Sequence, residues 1–271
     1  MNKILCSTGA LLGRPNGRDF TLLKKFVDKL DCDGYEFMMY DTWYDKVDII
    51  REFMQDFSYS IPTFHIEKQI GELISSNDEN NLEKALKLFE INCALAKDLN
   101  AKKLVLHLWS GLDSDKNIEH NINCYKFFNE ISSSYKLSLS VENIVCNHKD
   151  PMSHLITLAK TYPDIEFTFD TKMASFHNQI DMLYEEENSW LLKSIKHMHI
   201  NDYNGGYKDW KNLRTLHIGD GLIDFAKLFE FLKRINYQGD FTIEATSFDQ
   251  NGNIDFEALN KDFDKIRALL K

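Results

Sequence analysis

The sequence predicts an α/β protein folded as a (β/α)8 TIM barrel, and three observations support this fold class. Eight short apolar runs have the length of β-strands, and segments with a helical period lie between them. Nearly all of the runs end in or next to a histidine or a carboxylate. In a closed barrel of parallel strands, each followed by a helix, these polar side chains would lie at one rim. The fold class and a polar site at one end of the barrel are therefore predicted together.

The predicted strands are the apolar runs, and the polar groups at their ends are the first candidates for a functional site. In chain order the runs are KILCS (3–7), GYEFM (34–38), IPTFH (61–65), KLVLH (103–107), LSLSVEN (137–143), IEFTFD (165–170), IKHMH (195–199) and FTIEA (241–245). Their polar terminal residues are Glu36, His65, His107, Glu142, Asp170, His199 and Glu244.

The segments between the runs have apolar stripes that predict helices long enough to cross back over a parallel sheet. The first four stripes lie within residues 20–30, 47–57, 82–93 and 118–128. Three later segments begin with an aspartate in the N-cap position, once with proline following: Asp150-Pro151, Asp224 and Asp255. The segment 178–194 is the least regular because three glutamates interrupt its stripe, and these glutamates are interpreted as a solvated face or loop.

Eight strand and helix alternations without a Pro/Gly-rich linker favour one closed domain over residues 1–271. The alternative is an open, doubly wound sheet. Against it, the first turn, CSTGALLGRPNG, lacks the GxGxxG fingerprint, and the sequence contains no Walker lysine motif.

Charge and cysteine content bear on compartment and partners. The formal net charge is −10 and the pI is near 5.4, so the chain has no overall attraction to nucleic acid or anionic membranes. Five scattered cysteines without a CxxC pair indicate a reducing compartment. No run approaches the roughly 18 apolar residues that cross a bilayer, and the N-terminal segment does not resemble a signal peptide. We therefore expect a cytoplasmic protein that binds neither nucleic acid nor membranes.

The last four strand ends carry the residues that point to chemistry: Glu142, Asp170, His199 and Glu244. Three carboxylates and one imidazole form a hard to borderline ligand set suited to Mn, Mg, Co, Fe or Zn. Carboxylates that converge in one cleft repel each other, and a divalent cation is the simplest way to hold them together. The alternative is four independent polar residues at strand ends.

Five short motifs resemble the xylose isomerase-like barrel superfamily, which contains sugar isomerases and epimerases and the endonuclease IV-type AP endonucleases. The motifs are SVENI (140–144), TFDTKMA (168–174), HMHIND (197–202), HIGDG (217–221) and TIEAT (242–246). The resemblance implies a sugar or sugar-phosphate isomerase or epimerase with one divalent metal ion. By similarity to the ketose epimerase-like members, the metal ligands would be Glu142, Asp170, His199 and Glu244.

The reaction that the resemblance implies is proton transfer next to a carbonyl. The metal would act as a Lewis acid and stabilise an enediolate. Glu142 and Glu244 are predicted to be the catalytic acid and base, and which of them acts first is left open. Two bases on opposite faces, which return a proton to the opposite face of the same carbon, give epimerisation, and return to the neighbouring carbon gives isomerisation.

Further strand-end residues are predicted to bind substrate. His65 and His107 lie where relatives use polar side chains for substrate hydroxyls or, in the endonucleases, for zinc. Trp109 is expected either to form an apolar wall against a sugar face or to pack in its loop. Glu36 is expected to hold a substrate hydroxyl or a neighbouring histidine.

The chain departs from the family pattern after the sixth strand. Many members have a histidine three residues after the strand-end aspartate, whereas this chain has Met173. Lys172 and His177 lie nearby and are predicted to contact a carboxylate, phosphate or enolate oxygen. Arg214, just before HIGDG, is a further candidate for binding an anion or hydroxyl. The GDG segment is interpreted as a turn rather than a phosphate site.

Three alternative functions remain at this point. An AP endonuclease would need an aspartate and a histidine where this chain has Leu213 and Thr215, so this alternative is disfavoured. A metal-dependent dehydratase of a polyol or keto acid would use the same fold and enediolate. A non-catalytic barrel that binds a sugar or a protein is disfavoured by the intact ligand set. Relatives often form dimers or tetramers, so a homo-oligomer that acts on a small sugar is compatible with the sequence.

Overall fold

The computed structural model describes residues 2–249 and 251–271 and contains a closed barrel of eight parallel strands. Each strand pairs with the next one in the sequence, and β1 pairs with β8 to close the barrel. The strands are β1 (Ile4–Ser7), β2 (Gly34–Met38), β3 (Thr63–His65), β4 (Lys103–Leu106), β5 (Ser138–Glu142), β6 (Glu166–Asp170), β7 (Ile195–Ile200) and β8 (Asp240–Ile243). The predicted (β/α)8 barrel is confirmed, and the open-sheet alternative is wrong.

Helices connect the strands and cover the outside of the barrel. The α-helices in the described residues are α1 (Thr8–Leu11), α2 (Leu23–Phe26), α3 (Val47–Gln55), α4 (Gln69–Ser75), α5 (Glu79–Asp98), α6 (Ile118–Ser134), α7 (Pro151–Thr161), α8 (Thr171–Phe176), α9 (Ser189–Leu192), α10 (Phe225–Arg234) and α11 (Phe256–Leu270). Short 3₁₀ segments span Arg14–Asn16, Phe20–Leu22, Val27–Lys29, Asp41–Lys46, Ile180–Tyr184 and Glu186–Asn188.

The predicted N-caps are confirmed by their hydrogen bonds. The carboxylate of Asp150 accepts from the backbone N–H of Ser153 at 2.8 Å, with Pro151 opening α7. Asp224 and Asp255 make the equivalent bonds at the start of α10 and α11, at 2.9 and 3.0 Å. Each bond satisfies an N–H group that has no partner within the helix.

Two helical predictions need correction. The stripe at 20–30 is not one helix, because α2 is flanked by 3₁₀ segments on both sides. Phe20, Leu23 and Phe26 are spaced three apart, a period that 3₁₀ turns align as well as α-helix does. Between the second and third predicted helices, where no apolar stripe predicts a helix, the structure has the short helix α4. The irregular segment 178–194 contains two 3₁₀ segments and the four-residue helix α9, in line with its interrupted stripe.

Polar side chains occupy the barrel interior in pairs two residues apart, which places both members of a pair on the same face of a strand. The lower members contact each other: Ser140 Oγ lies 2.8 Å from Thr168 Oγ1, and His197 Nε2 lies 2.9 Å from Thr242 Oγ1. The upper members, two residues further along each strand, are Glu142, Asp170, His199 and Glu244. A buried polar layer therefore lies directly beneath the candidate ligands.

The apolar core fills the space between the barrel and the surrounding helices. It includes large side chains that are fully buried, such as Phe37, Phe64, Phe167, Phe229 and Phe241. This rigid shell fixes the strand ends that carry the polar residues. None of the helices within residues 2–249 and 251–271 combines the length and the apolar character needed to span a membrane.

Candidate metal centre and active site

The four predicted metal ligands meet at the carboxyl end of the barrel. Glu142 and Asp170 are the last residues of β5 and β6, His199 lies in β7, and Glu244 directly follows β8. Glu142, Asp170 and His199 are buried, and each offers a ligand atom within 4.8 Å of those of the other two. Nδ1 of His199 lies 3.2 Å from Oε1 of Glu142 and 3.6 Å from Oε1 of Glu244. All four side chains thus face one small volume.

The electrostatics of this cluster favour a cation. Burial, together with the nearby carboxylates of Glu142 and Glu244, raises the pKa of Asp170 to about 6, although Lys172 acts in the opposite direction. Burial alone would lower the pKa of His199, but the surrounding carboxylates of Glu244, Glu36 and Glu142 raise it well above its ordinary value. Buried carboxylates with one shared imidazole are the situation that a divalent ion resolves. The mixed O and N donor set fits Mn, Fe, Co or Zn.

Two asparagines that the sequence analysis did not single out orient Asp170. Nδ2 of Asn201 donates to Oδ2 of Asp170 at 2.9 Å and to Oε2 of Glu244 at 3.2 Å. Asn143 forms a reciprocal pair with the Asp170 backbone, accepting from its N–H at 2.6 Å and donating to its carbonyl at 3.1 Å. Both asparagines lie inside the motifs SVENI and HMHIND, so their proximity to the ligands in sequence was an available signal.

His65 and His107 hold Glu142. Their Nε2 atoms lie 3.3 and 2.7 Å from Oε2 of Glu142, and the three residues form a second group with ligand atoms within 4.8 Å. Nδ1 of His65 donates to the carbonyl of Ile66 at 2.8 Å. Burial lowers the pKa of His107 to about 4 in spite of the Glu142 carboxylate, so its neutral ring donates one hydrogen bond. His107 therefore fixes one oxygen of Glu142, with the His65 ring beside it, and the other oxygen faces His199.

Glu36 is fully buried at the barrel interior and contacts histidines. Its Oε2 accepts from Nε2 of His197 at 2.8 Å and from Oγ1 of Thr242 at 3.1 Å, and it lies 3.2 Å from Nε2 of His199. Of the two roles expected for Glu36, this position fits contact with a neighbouring histidine. His197 was missed in the sequence, although its spacing of two from His199 within a strand places both rings on one face.

A cavity of about 680 Å³ opens above the strand ends. Glu244 and Lys172 line it, and Lys172 Nζ donates to Oγ1 of Thr215 at 3.3 Å. Further charged residues around the cavity are Arg14, Arg18, Asp41, Glu67, Lys68 and Glu72. A volume of this size is typical of small-molecule sites.

Besides Glu36, His65 and His107, three further predicted substrate-binding residues are not among those that line this cavity. Trp109 is completely buried and donates from Nε1 to the carbonyl of Ile144 at 3.3 Å, so it has no free face for a sugar. His177 is buried, and its Nε2 accepts from the backbone N–H of Cys146 at 3.1 Å. Arg214 is exposed, and in the described part of the chain it is not among the residues that line the cavity.

A buried cluster near His177 has a structural explanation. The carboxylate of Asp115 accepts the backbone N–H groups of Asn147, His148 and Lys149 at 2.7 to 2.9 Å. It also contacts Nε2 of His154 at 3.0 Å. Both oxygens are thus occupied in fixing the loop between β5 and α7.

Solved structures with the same architecture include sugar epimerases. A D-tagatose 3-epimerase-like protein superposes with a TM-score of 0.71 at 20% identity, covering 99% of this chain and 97% of the other. An L-ribulose 3-epimerase gives 0.71 at 16% identity, covering 100% and 95%. A D-allulose 3-epimerase from Methylomonas sp. gives 0.68 at 15% identity, covering 99% and 98%.

Sequence comparison assigns the family. No curated protein matched the chain significantly. A family model described as xylose isomerase-like TIM barrel matches residues 25–268. Because the match extends over most of the 271 residues, the chain belongs to the xylose isomerase-like TIM barrel family.

Proposed function

We propose that this chain is a divalent-metal-dependent isomerase or epimerase of a sugar or sugar phosphate. The observation that carries the proposal is the convergence of two carboxylates, Glu142 and Glu244, on Nδ1 of His199 beside a cavity of about 680 Å³. The similarity in fold to structures titled as tagatose, ribulose and allulose 3-epimerases supports a sugar as the small-molecule substrate.

The residues present fit a divalent ion, which Glu142, Asp170, His199 and Glu244 would hold. Two buried carboxylates, the half-buried carboxylate of Glu244 and one buried imidazole provide both the charge and the donor atoms. When bound, the ion would supply Lewis-acid stabilisation of the negative charge that develops on a sugar carbonyl oxygen.

Glu142 and Glu244 would move the proton. Burial raises the pKa of each carboxyl, but other groups together lower it below its ordinary value: His199 and His107 around Glu142, and His199, Lys68 and Lys172 around Glu244. Both carboxyls are therefore ionised and able to accept a proton from carbon. Glu244 lines the cavity, whereas Glu142 is held beneath it by His65 and His107. Lys172, with its ammonium group at the cavity, would bind a substrate oxygen.

The experiment is hydrogen exchange in heavy water, followed by NMR, with protein loaded with Mn²⁺, Co²⁺ or Zn²⁺. The substrates are D-tagatose, D-allulose, L-ribulose and their phosphates. We expect deuterium to enter at a carbon next to the carbonyl, and an epimer or isomer to accumulate. Glu244→Gln should reduce the exchange rate at least 100-fold, because it removes a proton acceptor of the reaction.

The matched control is Glu257→Gln, the same change at an exposed residue of α11 that pairs with Lys261. It should leave the exchange rate unchanged. Loss of water from the sugar, without an epimer, would replace the proposal by dehydration. Absence of exchange with every sugar, in protein with verified metal content, would contradict an enolising enzyme of these substrates.

A further inference from the structure

The two ring nitrogens of His199 face two different carboxylate environments. Nδ1 points to the ligand cluster, 3.2 Å from Oε1 of Glu142. Nε2 points to the opposite side, where it lies 3.1 and 3.2 Å from the two oxygens of Glu36. His199 therefore lies between the predicted metal ligands and a carboxylate that is not one of them.

This arrangement determines which nitrogen can bind a cation. An ionised carboxylate only accepts hydrogen bonds, so the contact with Glu36 requires a proton on Nε2 of His199. Nδ1 also faces a carboxylate, that of Glu142, and a bound cation would take the place of the proton on Nδ1. The ring then keeps its proton on Nε2, and the Nδ1 lone pair is on the side of Glu142 and Glu244. Glu36 thus selects the tautomer of His199 that is suited to metal binding, and it also fixes the plane of the ring.

Glu36 is itself held in place from below. Oε2 accepts hydrogen bonds from Nε2 of His197 at 2.8 Å and from Oγ1 of Thr242 at 3.1 Å. Oγ1 of Thr242 also lies 2.9 Å from Nε2 of His197, which closes a triangle of polar contacts. The side chains of Glu36, His197 and Thr242 are fully buried, and none of them lines the cavity. Contact with a substrate is therefore not the reason for a buried charge at this position.

We propose that Glu36 is a positioning residue that orients His199 for metal binding through Nδ1, and that His197 and Thr242 hold Glu36 in the required place. The inference rests on the metal site of the proposed function, but it does not depend on the identity of the substrate. Carboxylates that orient a metal-binding histidine contribute about 10- to 100-fold to metal affinity.

The test is the dissociation constant of Co²⁺, measured by competition with a chelator, in the wild type, Glu36→Gln and the surface control Glu257→Gln. We expect Glu36→Gln to raise the Kd about 10- to 100-fold. The visible absorption of bound Co²⁺ should still appear at saturation, because all four ligands remain. The control should bind as the wild type does. Melting curves of the metal-free proteins show whether Glu36→Gln is folded.

A second variant keeps the inference testable if Glu36→Gln does not fold. Thr242→Val preserves the shape of the side chain and removes one hydrogen bond to Glu36, so it should raise the Kd of Co²⁺ about two- to fivefold. In Zn²⁺-loaded wild type, ¹⁵N NMR of the ring should show a proton on Nε2 of His199 and none on Nδ1.

The outcomes separate the two proposals. Wild type that binds no Co²⁺ would overturn the metal site of the proposed function. Wild type that binds Co²⁺, with an unchanged Kd in folded Glu36→Gln or, where that variant does not fold, in Thr242→Val, would overturn the role of Glu36 alone. A proton on Nδ1 of His199 in the Zn²⁺-loaded protein would also contradict it.

Discussion

Single side chains divide the proposed site into a part that would hold the cation and a part that would face the substrate, and Glu244 belongs to both. Lys172 belongs to the second part, because its Nζ contacts only Thr215 Oγ1 among the hydrogen-bond partners in the described chain. Its charge nevertheless acts on the first part by opposing the rise in the pKa of Asp170. Lys172 is therefore coupled to the predicted ligands by electrostatics rather than by a hydrogen bond.

Replacing this lysine should affect substrate and metal in opposite directions. In Lys172→Met we expect a KM increased about tenfold, because a charged hydrogen bond to a substrate oxygen is lost. Co²⁺ affinity should stay equal or increase, because a positive charge near the ligands is removed. Steady-state kinetics on the sugar that exchanges, together with the Co²⁺ competition assay, measures both effects.

The control for this variant is Lys227→Met, which removes a lysine that pairs with Asp181 at the surface. It should change neither quantity. If Lys172→Met weakened Co²⁺ binding and left KM unchanged, the lysine would stabilise the positions of the predicted ligands and would not bind substrate.

Among the elements, the segment HIGDG is fixed to the last helix by a histidine and an aspartate. Nδ1 of His217 lies 2.6 Å from Oδ2 of the fully buried Asp262 in α11, and Oδ1 of Asp262 accepts the backbone N–H of Ile218 at 3.1 Å. The hydrogen bond to Asp262 raises the pKa of His217 above its ordinary value, although burial acts against it. The protonated ring thus stabilises the folded chain.

The sign of the resulting pH dependence follows from this raised pKa. The contribution of His217 to the free energy of unfolding is complete below the unfolded pKa of about 6.5, and it is lost as the pH rises through the folded pKa. His217→Gln should therefore destabilise the protein by about 1 to 2 kcal/mol more at pH 6 than at pH 9. Urea denaturation at the two pH values measures the difference.

A matched control for this change is His148→Gln at an exposed position. Its effect on the free energy of unfolding should be small and the same at both pH values. An equal loss of stability for His217→Gln at pH 6 and pH 9 would mean that the ring contributes only packing.

The elements also show how far the sequence could predict the site. The four predicted ligands could be grouped from the sequence because each lies at a strand end, where a closed barrel brings the strands to one rim. Trp109 and His177 are predicted to contact substrate because they follow strand ends closely in the sequence. In the structure both side chains are buried and form hydrogen bonds inside the protein. Sequence proximity to a strand end gives no direction to a side chain in a loop.

The buried polar layer beneath the predicted ligands could have been predicted from the sequence, but the sequence analysis does not name its residues. Ser140, Thr168, His197 and Thr242 lie two residues before Glu142, Asp170, His199 and Glu244. A period of two keeps them on the inner face, so their proximity to each other follows from the barrel. Their partner Glu36 could not be paired with His197 from the sequence, because 161 residues separate them and the barrel closure decides which strands meet.

In the whole molecule, the cluster of predicted ligands links four consecutive strands of the barrel. Glu142, Asp170, His199 and Glu244 belong to or directly follow β5, β6, β7 and β8, and together they leave a dense region of negative charge in the core. An ion that binds the folded barrel and not the unfolded chain must stabilise the fold by mass action. The stability of the molecule and the occupancy of the site are therefore linked quantities.

This linkage predicts the effect of metal removal. At a free ion concentration 100 times the Kd, the stabilisation is about 2.7 kcal/mol. For a chain of this size, that should raise the Tm by roughly 5 to 10 °C over protein treated with a chelator. Differential scanning calorimetry across a Mn²⁺ or Co²⁺ titration should show a Tm that rises with the logarithm of the ion concentration.

Asp170→Asn should reduce that slope at the same concentrations, because the site loses a charged ligand and its Kd increases. A Tm that is independent of the ion in the wild type, with bound metal verified, would mean that the ion binds the unfolded chain as well, and the link between four strands would then not contribute to the stability of the barrel.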